Sequence, residues 1–194
     1  MRKSGMTLLA VLIIVVGLVI AFAVVKHPDG GTQEQTDTPV AVEEKSPEID
    51  AVYEAVKAAY GENYLPNMRL TDEEAEARYG ITGDLYSSMI AEVPMISAQV
   101  DELVIVKVTD EAARDKVEQA LTGYQDVLKN DTFQYPANQL KIQASKVYVR
   151  GDYVCFLMLG TLDNETVQQE DEGKVIEAYK VENDKAVAAI DALF

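Results

Sequence analysis

The feature that most limits what this chain can become is an uncharged run, Met6–Val25 (MTLLAVLIIVVGLVIAFAVV), bounded by Arg2 and Lys3 before it and Lys26 after it. At ~1.5 Å rise per residue, a helix of that length spans roughly 30 Å, the hydrocarbon thickness of a bilayer. The bases at its start favour a cytoplasmic N-terminus, which places everything after Lys26 outside the membrane. Ala21-Phe22-Ala23 also fits a small-x-small cleavage site, so a secreted form cut after Ala23 is the competing expectation. The run exceeds the usual apolar region of a signal peptide, about 7–15 residues, and the cut would fall inside it, which favours a retained anchor over residues 1–26. No Cys lies near the run, so it offers no cysteine to lipidate.

His27–Pro47 (HPDGGTQEQTDTPVAVEEKSP) follows, rich in Gly, Thr, Gln, Glu and Pro. Such a composition cannot bury enough apolar surface to offset the entropy of ordering, so 27–47 is expected to be a flexible acidic tether. As a coil it would span about 25 Å. Residues 48–194 are then left as one domain of ordinary size, in a chain whose 48% apolar content can supply a core. Beyond Lys26 the chain holds fourteen Lys and Arg against 33 Asp and Glu, a net charge of −19. That field repels phosphate backbones and excludes nucleic acid as a partner. The single His, His27, belongs to the tether, where it reads as a solvated residue, and the chain holds one Cys and no Trp. Ser–His–Asp and Cys–His catalysis and His-ligated zinc therefore have no residues to be built from in the folded part. No cofactor motif is present: neither P-loop nor GxGxxG nor GxSxG occurs.

Ser46 as N-cap, Pro47 at the first helical position and Gly61 beyond the last turn bracket a first helix. Its apolar face is Ile49, Val52, Tyr53, Val56 and Tyr60. Thr71-Asp72-Glu73-Glu74 spells a capping box for a short helix ended by Gly80. The acids Asp72, Glu73, Glu74 and Glu76 suit its positive N-terminal end, which explains them without an ion site. Strands are predicted at 85–93 and 100–108, a helix at 110–129 with Gly123 inside it, and a hairpin of 142–149 and 153–159 around Arg150-Gly151-Asp152. An acidic loop, 163–173, leads into a helical stretch over 174–193 that Asn183-Asp184 is expected to divide. The predicted class is α+β: an antiparallel sheet of about four strands covered by helices, in the order helix, helix, then strand–strand–helix twice.

The acidic loop offers the metal candidates, Asp163, Glu165, Glu170, Asp171 and Glu172, although their spacing is not that of an EF-hand. Asp101-Glu102 is a weaker pair, because adjacent strand residues point to opposite faces. Cys155, inside YVCFLML, reads as a small buried hydrophobe without a disulfide partner. Asn130-Asp131-Thr132 and Asn164-Glu165-Thr166 match the glycosylation sequon, a pattern common by chance. Of ten Tyr, Tyr53, Tyr60 and Tyr124 fall on apolar helix faces, while Tyr64, Tyr86 and Tyr135 are candidates for a binding surface.

The stretch from Tyr79 to Gly160 resembles a bacterial family of membrane-anchored or lipoprotein domains known as domain of unknown function 4358. The resemblance rests on Tyr79-Gly80, Val93-Pro94-Met95, Val100-Asp101-Glu102-Leu103 leading into Val104-Ile105-Val106-Lys107, and Phe133-Gln134-Tyr135-Pro136. Gly151-Asp152-Tyr153-Val154 leading into Phe156-Leu157-Met158-Leu159-Gly160 completes it. It implies a small extracytoplasmic α+β domain and carries over no functional residue. Members with a lipobox differ from this chain, which has the apolar run instead.

Together these features predict a single-pass, non-catalytic module at the cell envelope that binds a protein partner or senses its surroundings. An extracytoplasmic ion- or small-ligand-binding protein using the acidic loop is the second expectation. A wall hydrolase built on paired carboxylates is the third, weakened by the missing Trp and by a domain too small for a deep cleft.

Overall fold

The computed structural model describes residues 46–194; the apolar run and the tether as far as Lys45 lie outside them. Among the described residues no helix is long and apolar enough to cross a membrane. One antiparallel sheet of five strands, β1 (Met68–Arg69), β2 (Tyr86–Val93), β3 (Glu102–Val108), β4 (Lys146–Arg150) and β5 (Tyr153–Met158), runs in the spatial order β1-β2-β3-β5-β4. Six helices accompany it: α1 (Ile49–Tyr60), α2 (Asp72–Tyr79), α3 (Glu111–Asn130), α4 (Pro136–Ala144), α5 (Asn164–Val167) and α6 (Glu172–Asp191). The α+β class and the antiparallel sheet are as predicted. The fifth strand is β1, whose two residues are too short to show alternation.

β3 and β5 are apolar on both faces because the sheet is covered on both. Val104, Val106, Phe156 and Met158 pack with residues of α2, α3 and α4. Leu103, Ile105, Cys155 and Leu157 pack with α1 and α6. The register agrees, pairing Leu103 with Leu157 and Ile105 with Cys155. Cys155 is fully buried, as expected, and burial pushes its thiol up to about 12.

The capping box at α2 forms as predicted: Thr71 Oγ1 accepts from the Glu74 amide, Glu74 accepts from the Thr71 amide at 2.8 Å, and Gly80 turns left-handed at φ +70°. Three expectations are corrected. Ser46 does not cap α1, whose N-cap is Glu48. Its hydroxyl instead donates to Asp152, and the Pro47 carbonyl accepts from Tyr153 at 2.6 Å and Lys107 at 3.0 Å, which holds the chain extended there. The predicted strand at 142–149 is helical as far as Ala144. Pro136 at the first turn starts α4, and Ile142 belongs to the helix face turned to the core, so β4 begins only at Lys146. Finally, α6 runs unbroken through Asn183 and Asp184. Asn183 is fully buried and finds its partners outside the helix: Oδ1 accepts from the Leu159 amide at 2.8 Å and Nδ2 donates to the Ala144 carbonyl at 2.9 Å. A side chain so engaged does not compete with its own backbone.

The two ends of the sheet differ. Ser46 and Pro47 lie beside the β4–β5 turn, next to Asp152 and Tyr153. The β2–β3 connection, 94–101, lies at the other end, because β3 and β5 pair Glu102 with Met158 there and Lys107 with Tyr153 here. Five residues of strand at ~3.3 Å each separate these ends by roughly 17 Å. The end that carries the β2–β3 connection forms the tip of the domain.

Candidate functional site

Two glutamates sit buried at the tip, one on each face of the sheet. Glu102, 2% exposed, accepts four hydrogen bonds: from Arg78 Nε at 3.1 Å and Nη2 at 2.8 Å, Tyr79 at 2.6 Å and Tyr124 at 3.0 Å. Burial, reinforced by the charge of Glu102, holds the Tyr79 and Tyr124 hydroxyls well above the ordinary phenol range. Burial opposes the charge on Arg78, but the bonds and charge of Glu102 outweigh it and raise the guanidinium above its usual value. On the opposite face Glu92 accepts from Tyr53 at 3.0 and 3.1 Å, Tyr64 at 2.9 Å and Arg69 at 3.3 Å. Each carboxylate thus ties a helix or an edge strand to the sheet and is neutralised where it lies. Asp101 forms a third pair: its Oδ1 lies 2.6 Å from Lys141 Nζ but accepts no well-aligned hydrogen bond. Burial raises the Asp101 carboxyl and lowers the Lys141 ammonium, in each case against the attraction of the other.

Glu102 and Asp101 border a cleft of about 380 Å³ that Arg78, Met68, Met95 and Leu128 also line. A second hollow of about 350 Å³, bordered by Pro136, Leu140 and Glu172, adjoins it, since Gln134 lines both. The Asn138 amide ties α4 to the β2–β3 connection, donating to the Ala98 carbonyl at 3.0 Å. Around the openings stand large apolar side chains exposed to solvent: Met68, Met95 (71% exposed), Ile96, Phe133 (98%) and Tyr135. The acidic stretch 163–172 borders the second hollow through Glu172.

Of the residues singled out from sequence, Tyr135 is exposed at this rim, as its candidacy requires, and Asp101 and Glu102 reach the cleft. They do not form one constellation, since each is bound to its own cation. Tyr64 bonds Glu92, and Tyr86 packs half-buried against the core. Tyr53 and Tyr60 are buried and Tyr124 half-buried, as expected of apolar helix faces. Among the metal candidates, Asp163 caps α5 through the Thr166 amide and Asp171 caps α6 through the Lys174 amide, while Glu165, Glu170 and Glu172 are exposed. Among the described residues no three His, Cys, Asp or Glu are grouped to hold an ion. From sequence Asp101-Glu102 is only a weak pair; the partners that make the Glu102 and Glu92 clusters come from elements distant in the chain.

Residues 59–159 match a family described as a domain of unknown function (DUF4358). No curated protein and no solved structure matches the chain.

Proposed function

Because the chain belongs to the DUF4358 family, described only as a domain of unknown function, its role has to be read from its own residues. We propose that it is a membrane-anchored, extracytoplasmic, non-catalytic module that docks an envelope protein. The observation that carries this reading is the gathering of Met68, Met95, Ile96, Phe133 and Tyr135, all exposed, at the end of the sheet farthest from Ser46. Exposed apolar surface of this kind marks interaction sites in soluble domains. The described chain enters the domain at Ser46, beside the β4–β5 turn, at the end of the sheet opposite the tip. The two carboxylates that reach the cleft, Glu102 and Asp101, are each paired with a cation, Arg78 and Lys141, which supports a structural role for them.

The test is crosslinking of the full-length tagged protein in cells, followed by identification of what co-purifies. An envelope protein recovered with the native chain and with V181D, and lost with I96D/F133D, is the expected result. Recovery that ignores the tip substitutions, or no recovery at all, overturns the reading.

A further inference from the structure

We propose that the segment seated at the tip is cationic as well as apolar: a stretch of an envelope protein whose apolar side chains are flanked by Lys or Arg. This inference rests on the docking role proposed above and adds the chemistry of what docks. Two observations meet at the tip. The first is the trough itself, two adjoining hollows that share Gln134 and run from Met95 to Glu172, with the exposed Phe133 and Tyr135 on either side of Gln134 in the chain. The second is the charge of the stretch that reaches the second hollow through Glu172. From Gly160 to Gly173 the chain carries Asp163, Glu165, Glu170, Asp171 and Glu172, all exposed, and no base. Asp131 adds to them. Opposing them are Lys129 at the end of α3 and Lys174, whose ammonium lies 3.8 Å from Asp171. Other cations at this end, Arg69, Arg78, Lys141 and Lys146, are paired with Glu92, Glu102, Asp101 and Asp184, and Lys57 donates to the Tyr53 hydroxyl on the opposite face of the sheet from Glu102.

An apolar trough met by an acidic stretch is complementary to an apolar segment with basic flanks, and it repels one with acidic flanks. It repels an anionic lipid surface for the same reason, which argues for a protein occupant rather than a bilayer. A second copy of this chain is disfavoured too, since the acidic stretches would meet as like charges. In the domain's own fold Asp163 and Asp171 are explained as helix caps, but Glu165, Glu170 and Glu172 make no side-chain hydrogen bond or ion pair. The inference uses these side chains because their stretch meets the trough at Glu172.

The experiment places p-benzoylphenylalanine at position 135 of the full-length chain, irradiates cells, and maps the crosslinked peptide by mass spectrometry. The expected adduct is a segment with apolar residues bordered by Lys or Arg. Its yield should fall about tenfold in E165Q/E170Q/E172Q, three charges near a contact being worth about one decade at moderate ionic strength. It should persist in E54Q/E111Q/E118Q, which removes the same charge outside both hollows. An adduct to a neutral or acidic segment, to lipid or to another copy of the chain overturns this inference, as does a yield indifferent to the tip acids. If crosslinking in cells still recovers one envelope protein that the I96D/F133D variant loses, the docking role stands without this chemistry. If position 135 yields no adduct and nothing co-purifies, both fall.

Discussion

The Arg78–Glu102 cluster is the most exacting test of how the tip is held together. Replacing Arg78 with Met leaves Glu102 buried with Tyr79 and Tyr124 as donors but removes two charge-assisted bonds. Such bonds are worth roughly 1.5–3 kcal/mol each. The Arg78 side chain is 42% exposed, so its removal recovers little dehydration and its pairing is partly screened. A net loss of about 3 kcal/mol at neutral pH is expected after that discount. Replacing Glu102 with Gln keeps the shape, and the amide oxygen still accepts from Tyr79 and Arg78 Nε, but the amide nitrogen now faces the donor Nη2. Since the half-exposed guanidinium can turn to water, about 2 kcal/mol is expected. The double variant should lose about 3 kcal/mol, a coupling of about 2 kcal/mol between the two residues. Urea denaturation of the four proteins at neutral pH measures all of this. Additive single effects would refute the reasoning.

Three further outcomes are expected at particular residues. Gly123 lies exposed inside α3, where an added Cβ would meet nothing within 4 Å, so G123A should stabilise the domain by about 0.5–1 kcal/mol in the same denaturation assay. Gly160 has φ +99°, and a Cβ there would run into Glu182 Cβ and lie 2.9 Å from its Cγ. G160A should therefore lose about 3 kcal/mol, combining left-handed strain with a backbone-level clash. Burial holds Tyr60, Tyr64, Tyr79, Tyr124 and Tyr153 above their unfolded value of 10.0. The stability they lend is complete below that value and lost as pH climbs above it. In an alkaline titration, phenolate absorbance should rise in one step with the loss of circular dichroism; ionisation of these tyrosines while the fold persists would contradict this.

What sequence reveals here depends on the range of the interactions. The capping box and Gly80 are readable at α2 because their partners lie three to nine residues apart, and the apolar faces of α1 and α3 because packing repeats with the helix. α4 is hidden, since Ile142 and Ala144 fit a strand's alternation, and only the fold shows them on different sides of a helix, Ile142 packed under the sheet and Ala144 against Val175 and Tyr179. Asn183 and Ser46 look like caps because their commonest role is local; here each bonds a residue far away in the chain. The site behaves likewise. Glu102 draws its donors from α2 and α3, and the tip joins loops from three places, so neither is legible before the fold is known.

If the domain docks a partner as proposed, its tip is covered in the cell. Methionine oxidation reads this directly, because Met95 and Met68 stand exposed there while Met158 is 1% exposed in the core. With peroxide applied to the purified full-length protein, Met95 and Met68 should oxidise readily and Met158 slowly. Applied to intact cells, the same treatment should leave Met95 and Met68 protected relative to the purified protein. Equal oxidation of Met95 in cells and in the purified protein would mean that nothing sits on the tip, and the docking account would be contradicted.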